Sequence, residues 1–154
     1  FLTFGEGYHN YHHEFPSDYR NGPRFYDWDP TKWIIKGLSF FGLTSGLKTI
    51  REEIIVRKRT QMREKRMKRQ LEANPSLFNL RDKRLLDKLK GQAEIAFKNL
   101  SKLREQHKKL SKAKVLKIEL IDLEKEISMA RSIFMGYVSQ WNRLRRRVLA
   151  YSKV

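Results

Sequence analysis

The feature that most constrains the fold is a long stretch without proline, from Ser76 to Tyr151. Apolar residues recur through it at alternating steps of three and four, the spacing of a helix face that packs along another helix. The first part of this face comprises Leu86, Leu89, Ala93, Ala96, Leu100, Leu103, His107 and Leu110, and the second part comprises Ala113, Leu116, Leu120, Leu123, Ile127, Ala130, Phe134, Tyr137, Trp141, Leu144, Val148 and Tyr151. From Leu110 to Ala113 the step is three where four is due. The pattern predicts a coiled coil or an antiparallel helical hairpin, and the slip is either local overwinding or the hairpin bend.

Upstream of this stretch the sequence predicts a second, strongly basic helix from Thr49 to Ala73, which Asn74-Pro75-Ser76 interrupts. The whole chain has a net charge of +17, but residues 1–47 contribute −1, so residues 48–154 carry +18. The basic run at 57–69 and the Arg143–Arg147 cluster could bind phosphate, although a solvated charged face is the simpler interpretation.

One function that fits this charge is a basic helical interaction module that binds an acidic membrane or nucleic acid. The basic helix has no interleaved aromatic residues on which bases could stack, which makes nucleic acid the less favoured partner. The interaction module is the main alternative to an enzymatic function for this chain.

Composition excludes several kinds of chemistry. The chain has no cysteine, so disulfides, iron–sulfur clusters, thiolate zinc sites and thiol nucleophiles are all ruled out. No apolar run reaches the roughly 18 residues that a membrane-spanning helix needs, and the longest candidate, Trp33 to Leu47, contains Lys36. The chain begins with Phe1 rather than methionine, and we therefore expect it to be part of a longer protein.

The first third of the chain differs from the rest, because 12 of the 18 aromatic residues and three of the four histidines lie before residue 48. Residues 14–32 contain several chain breakers and predict an ordered loop with tight turns. Asp29-Pro30 has the form of a helix N-cap followed by proline, and a short helix from Trp33 is expected to end at the glycines at 42 and 46.

Two features of this region allow more than one interpretation. Asp18 and Arg20 are expected to pair locally, with a role in substrate binding as the less favoured interpretation. The aromatic side chains around Trp33, Phe40 and Phe41 could lie in the headgroup region of a bilayer. Packing against another part of a longer protein explains them equally well.

The residues with the clearest chemistry are His9, His12 and His13. On a helix, positions i, i+3 and i+4 share one face, so the three imidazoles can converge on one point. Neutral imidazole is a good ligand for iron or zinc. The alternative is a cluster of exposed polar residues without a metal. A zinc hydrolase usually has a glutamate between its two histidines, whereas Asn10 and Tyr11 stand there, so zinc hydrolysis is disfavoured.

The residues around these histidines, Gly5 to Asn21 with the sequence GEGYHNYHHEFPSDYRN, resemble the third histidine box and following loop of the stearoyl-CoA (acyl-CoA delta-9) desaturase family. Tyr26 to Trp33, with the sequence YDWDPTKW, and the pair Gly42-Leu43 extend the resemblance. It covers about 45 residues, which is under a third of the chain.

The resemblance implies a membrane-bound di-iron oxidoreductase of the endoplasmic reticulum. Such an enzyme inserts a cis double bond into a saturated fatty acyl-CoA, using O₂ and electrons from cytochrome b5. The resemblance assigns His9, His12 and His13 as iron ligands. Glu6 either accepts a hydrogen bond from one of these imidazoles or turns the backbone. The family uses two further histidine boxes and four membrane spans, so the di-iron centre would be completed by residues outside this chain, and the chain alone is expected to be inactive.

The sequence thus predicts a mainly α protein in three parts. Residues 1–47 form the desaturase C-terminal segment, residues 48–75 the basic helix and its break, and residues 76–154 a tail that is a coiled coil or helical hairpin. Positive charge tends to stay on the cytoplasmic side of a membrane and is attracted to anionic lipid. We therefore expect the segment to lie along the cytosolic face of the endoplasmic reticulum membrane.

Overall fold

A computed structural model of the chain describes residues 9–73, 79–113 and 117–151. These ranges contain five helices: α1 (His9–Glu14), α2 (Pro30–Phe40), α3 (Glu52–Ala73), α4 (Leu80–Lys112) and α5 (Lys117–Tyr151). Within these ranges there is no strand, so the predicted mainly α class is confirmed. None of the described helices is both long enough and apolar enough to cross a bilayer. The chain divides into two compact units, 1–52 and 53–154, while the three-part division remains a prediction.

Local signals set both ends of α2. The Asp29 carboxylate accepts a hydrogen bond from the backbone N–H of Lys32 at 3.1 Å, and Pro30 occupies the first turn. At the other end Gly42 adopts a left-handed φ of 74°, and the N–H of Leu43 donates to the Leu38 carbonyl at 3.0 Å. The Asp29-Pro30 cap and the ending at Gly42 are therefore as the sequence predicts, but the helix begins at Pro30, three residues before the expected start at Trp33.

The loop that precedes α2 is organised around buried polar side chains. The Lys32 ammonium donates to the backbone carbonyls of Gly22 at 3.1 Å, Arg24 at 2.7 Å and Asp27 at 3.3 Å. Gly22 is required there, because a Cβ at this position would lie 2.5 Å from the Cβ of Asp27. These contacts account for the ordered turns between the two helices of the first unit.

Helices α4 and α5 form an antiparallel hairpin. The rings of Phe97 and Phe134 lie 5.4 Å apart in its middle, and His107 approaches Glu124 at 3.3 Å nearer its tip. The core of the second unit contains two clusters of buried side chains: Met67 of α3 with Leu86, Leu89, Trp141 and Val148 in the first, and Ala93, Phe134 and Val138 in the second. Helix α4 ends at Lys112, so the register slip in the sequence marks the hairpin bend and not a local overwinding.

Helix α3 packs on this hairpin largely through charged pairs. Glu53 is only 3% exposed, and its carboxylate lies 2.6 Å from the Arg104 guanidinium of α4 and 3.7 Å from that of Arg131 on α5. Arg57 binds Glu94 of α4 at 2.7 Å. Within the basic run at 57–69, the interpretation as a solvated face therefore does not hold for Arg57, which is ion-paired with α4.

Helix α3 starts three residues later than the sequence predicts. The backbone carbonyl of Lys48 accepts a hydrogen bond from the Tyr19 N–H at 3.1 Å, and the carbonyl of Ile50 accepts one from the Arg20 guanidinium at 3.3 Å. Because these carbonyls bond to the preceding loop, they do not serve as acceptors for a helical turn.

Candidate metal centre

Helix α1 carries the three histidines that the sequence singles out. It begins at His9, so His9, His12 and His13 occupy positions i, i+3 and i+4 of one helix, as predicted. The side chains of His12 and His13 are exposed, and their ring centroids lie 6.3 Å apart. The side chain of His9 and the whole of Glu6 lie outside the described residues. Among the side chains that are described, no three His, Cys, Asp or Glu residues come together as a metal site.

The opposite face of α1 is anchored by Tyr11. Successive residues of a helix are about 100° apart, so Tyr11 projects roughly opposite to the positions of His9 and His13. The Tyr11 ring packs on Phe15 with centroids 5.0 Å apart, and its hydroxyl donates to Asp18 at 2.8 Å. Fixing the tyrosine face leaves the histidine face directed outward.

Asp18 is the central acceptor of the hydrogen bonds that hold α1 in place, and it is only 2% exposed. Its carboxylate accepts five hydrogen bonds: from the Tyr11 hydroxyl at 2.8 Å, from the Arg20 guanidinium at 2.9 and 2.7 Å, from the Arg20 N–H at 3.0 Å and from the Ile50 N–H at 2.8 Å. One buried carboxylate therefore joins α1, the loop after it and the segment just before α3. The local pairing of Asp18 with Arg20 agrees with the sequence-based expectation.

These contacts shift the pKa values of Asp18 and Tyr11. Burial by itself would raise the pKa of Asp18, but the hydrogen bonds from Arg20, Ile50 and Tyr11 outweigh it and hold that pKa below its usual value. Burial and the neighbouring Asp18 carboxylate raise the pKa of Tyr11 well above its usual value. Asp18 therefore stabilises the fold above its unfolded pKa of about 4, and this contribution is lost as the pH falls through the lowered folded value. Tyr11 acts in the opposite direction, losing its contribution as the pH rises above about 10.

We expect Asp18→Asn to lower the free energy of unfolding of the first unit by about 3 kcal/mol, because the amide leaves the Arg20 charge without its buried partner. The substitution should also flatten the loss of stability below about pH 4. Hydrogen exchange of the Tyr19 and Ile50 amides, measured as a function of pH, checks both effects.

Asp122→Asn is the matched control, because the Asp122–Lys125 pair is exposed and its loss should cost less than about 0.5 kcal/mol. Similar exchange rates in the Asp18 and Asp122 variants would show that Asp18 is not an anchor.

A second feature of this unit is its exposed aromatic surface. Phe40 and Phe41 at the end of α2 are 88% and 76% exposed, and Phe25 in the loop is 85% exposed. Trp33 is also partly exposed, and its ring lies 5.5 Å from that of Trp28. An apolar surface of this kind usually contacts another molecule or a membrane. Both sequence-based interpretations, headgroup insertion and packing against another part of a longer protein, therefore remain predictions.

Sequence reasoning missed the roles of Tyr11 and Lys32 and part of that of Asp18. One signal was available: Asp18 is followed two residues later by Arg20, and aspartate commonly accepts a hydrogen bond from the backbone N–H two residues on. The Tyr11 and Ile50 bonds to Asp18 have no such signal, because they join parts of the chain that only folding brings together.

Comparison with known proteins finds several acyl-CoA desaturases. The chain is 48% identical to acyl-CoA desaturase 1 of Saccharomyces cerevisiae over 66 residues, which is 43% of this chain and 13% of that protein. It is 50% identical to a probable acyl-CoA desaturase of Schizosaccharomyces pombe over 64 residues, which is 42% of this chain and 13% of that protein. Stearoyl-CoA desaturase 5 of Bos taurus is 38% identical over 53 residues, 34% of this chain and 16% of that protein.

The chain thus spans only about 13% of the length of the two fungal relatives. No protein-family model matches it, and no solved structure gives a significant match. The matches confirm that part of this chain is similar to acyl-CoA desaturases, as the residues around the histidines predict.

Proposed function

We propose that this partial desaturase sequence contributes one histidine element to the di-iron centre of a fatty acyl-CoA desaturase. The complete enzyme would insert a cis double bond into a saturated acyl-CoA, in the manner of a stearoyl-CoA 9-desaturase, with O₂ and electrons from cytochrome b5. The observation that carries this proposal is the similarity to several acyl-CoA desaturases, together with a helix that holds the three histidine positions on one face.

The chemistry of the donor set fits iron. His12 and His13 are exposed neighbours on α1, and neutral imidazoles bind iron without being oxidised as thiolates would be. With His9 they would hold one side of the metal centre, and Glu6 would orient an imidazole. Bound iron would activate O₂, the oxidant, so that an unactivated C–H bond can be broken, which no side-chain acid or base can do.

The other residues of this unit position that helix. Tyr11 and Asp18 fix the inner face of α1, so the histidine face keeps one direction relative to the loop. Ligands that are already oriented bind a metal with less loss of conformational freedom. Because this chain holds a single histidine element, the di-iron centre needs ligands from elsewhere, and we propose that the chain alone is inactive.

The proposed setting is the cytosolic face of the endoplasmic reticulum membrane. The charge of residues 48–154 supports this placement, since basic segments favour the cytoplasmic side and anionic lipid. Acyl-CoA and cytochrome b5 would then meet the histidine helix from the same side.

A chimeric enzyme tests the proposal. Residues 1–47 of this chain replace the corresponding residues of the Saccharomyces cerevisiae desaturase, and the chimera is expressed in a host that lacks its own acyl-CoA desaturase. We expect the host to grow without added unsaturated fatty acid and to contain monounsaturated acyl chains by gas chromatography. A chimera that accumulates normally in the membrane but forms no unsaturated product would contradict the proposed function.

A further inference from the structure

The charges of α5 are unevenly distributed along the helix. Its four acidic residues, Glu119, Asp122, Glu124 and Glu126, all lie in the first ten positions. From 127 to 151 there is no acidic residue, and five arginines follow: Arg131, Arg143, Arg145, Arg146 and Arg147. None of these arginines lies in the last turn of α5, and the helix dipole acts mainly within that turn, so the dipole does not account for them.

Helix α3 brings further arginines to the same end of the hairpin. Arg59, Arg63 and Arg66 follow the i, i+4, i+7 spacing of one helix face. The Arg63 guanidinium donates to the Asn142 side-chain oxygen of α5 at 2.8 Å, and the Asn142 amide donates to the Val138 carbonyl at 2.9 Å. We call Arg63, Arg145 and Arg146 the arginine cluster.

Arg145 is the member of this cluster that has a buried hydrogen-bond donor without an acceptor. Its Nε atom is buried, and within the described part of the chain it has no hydrogen-bond partner. The guanidinium lies 6.0 Å from the centroid of the Trp141 ring. Burial lowers the pKa of Arg145, and the positive charges of Arg63 and Arg146 lower it further. A buried N–H without a partner is destabilising, so the fold holds these three cations together at a cost in stability.

We propose that the arginine cluster binds a phosphate group, and specifically the headgroup phosphate of an anionic phospholipid. The planar, multiply donating guanidinium matches the geometry of phosphate oxygens, and an arriving anion would relieve the repulsion within the cluster. This inference does not depend on desaturation, because the cluster belongs to the second unit alone.

A lipid fits the surroundings of the cluster better than a nucleic acid does. Trp141, the aromatic ring that contacts the cluster, is 1% exposed and cannot stack on a base. Met62 lies on the same face of α3 as Arg59 and Arg66 and is half exposed, which gives an apolar contact beside the cations. Basic residues with adjacent apolar side chains are typical of surfaces that bind anionic membranes.

The test measures binding of the 154-residue chain to sedimented vesicles. The vesicles contain phosphatidylcholine alone, phosphatidylcholine with phosphatidic acid, or phosphatidylcholine with enough oleate to give the same surface charge without the added phosphate. The cluster variant carries Arg63→Gln, Arg145→Gln and Arg146→Gln. The control variant carries Lys98→Gln, Lys102→Gln and Lys108→Gln, which are exposed on α4 and remove the same charge.

We expect the cluster variant to bind phosphatidic acid vesicles about tenfold more weakly than the control variant does. The two variants should bind oleate vesicles equally. Arg146→Gln alone should give an intermediate loss of binding. Because Arg146 is exposed, this single substitution should leave the fold intact even if the triple variant misfolds. Inorganic phosphate should raise the unfolding midpoint of the wild-type chain but not that of the cluster variant.

Equal binding of the two triple variants to phosphatidic acid would overturn the lipid assignment, even if free phosphate stabilised the chain. Cluster-dependent binding to single-stranded RNA that is tighter than binding to phosphatidic acid would overturn it as well. Circular dichroism of each variant confirms that the helices are intact before binding is compared.

Discussion

Trp141→Ala should lower the free energy of unfolding of the second unit by about 4 kcal/mol. Trp141 is 1% exposed and is the largest fully buried side chain among the described residues. It packs in the cluster formed with Met67, Leu86, Leu89 and Val148, which draws on all three helices of the unit. Truncation removes apolar contacts from α3, α4 and α5 together and leaves a cavity that these helices cannot close without moving.

Urea titration followed by far-ultraviolet circular dichroism measures this effect, because the substitution itself removes a tryptophan and would change fluorescence. Met129→Ala is the matched control, since Met129 lies on the same helix and is 67% exposed. Its truncation should cost less than about 1 kcal/mol. A comparable loss in the two variants would mean that the Trp141 cluster does not form the core of this unit.

His12→Ala should eliminate desaturation by the chimeric enzyme described above, with a loss of at least 100-fold. Altering residues that merely orient a metal ligand commonly costs about 10–100-fold, and removing a ligand itself should cost more. The variant should also bind less iron per polypeptide, which mass spectrometry of the purified chimera measures without reference to activity. Because His12 is exposed on α1, the substitution leaves no cavity and should not unfold the unit.

Lys36→Ala is the control for this variant, because Lys36 is exposed on α2 and lies in the same transplanted segment. It should retain both the iron content and the activity of the unmodified chimera. If His12→Ala lost activity but kept its full complement of iron, His12 would not be a metal ligand, and its role would have to be sought in substrate binding.

Much of the fold could be predicted from the sequence where the signals are local. Asp29-Pro30 and Gly42 define α2, because capping and left-handed backbone depend on residues within one turn. The irregular step between Leu110 and Ala113 marks the hairpin bend. The spacing of apolar residues changes there because α4 ends and the apolar face is continued by a separate helix, α5. The spacing of the histidines likewise predicts their shared face on α1.

The remaining features depend on contacts between distant residues. Lys32 is a residue type normally found at the surface, and nothing in its neighbourhood predicts three backbone carbonyls around its ammonium. Glu53 follows another glutamate in a highly charged helix, and its partners are 51 residues away on α4 and further still on α5. Charge alone does not identify the partner of a carboxylate, since many arginines are available to each carboxylate in a chain this basic.

The position of Glu53 also determines how far α3 can slide along the hairpin. A shift of one helical turn, about 5.4 Å, in one direction would bring Arg57 to the place that Glu53 occupies. Three guanidinium groups would then meet where a carboxylate now lies between two, and Arg57 would lose Glu94. A shift of one turn in this direction is therefore penalised, so the Glu53 carboxylate helps to fix the axial position of α3 on the hairpin.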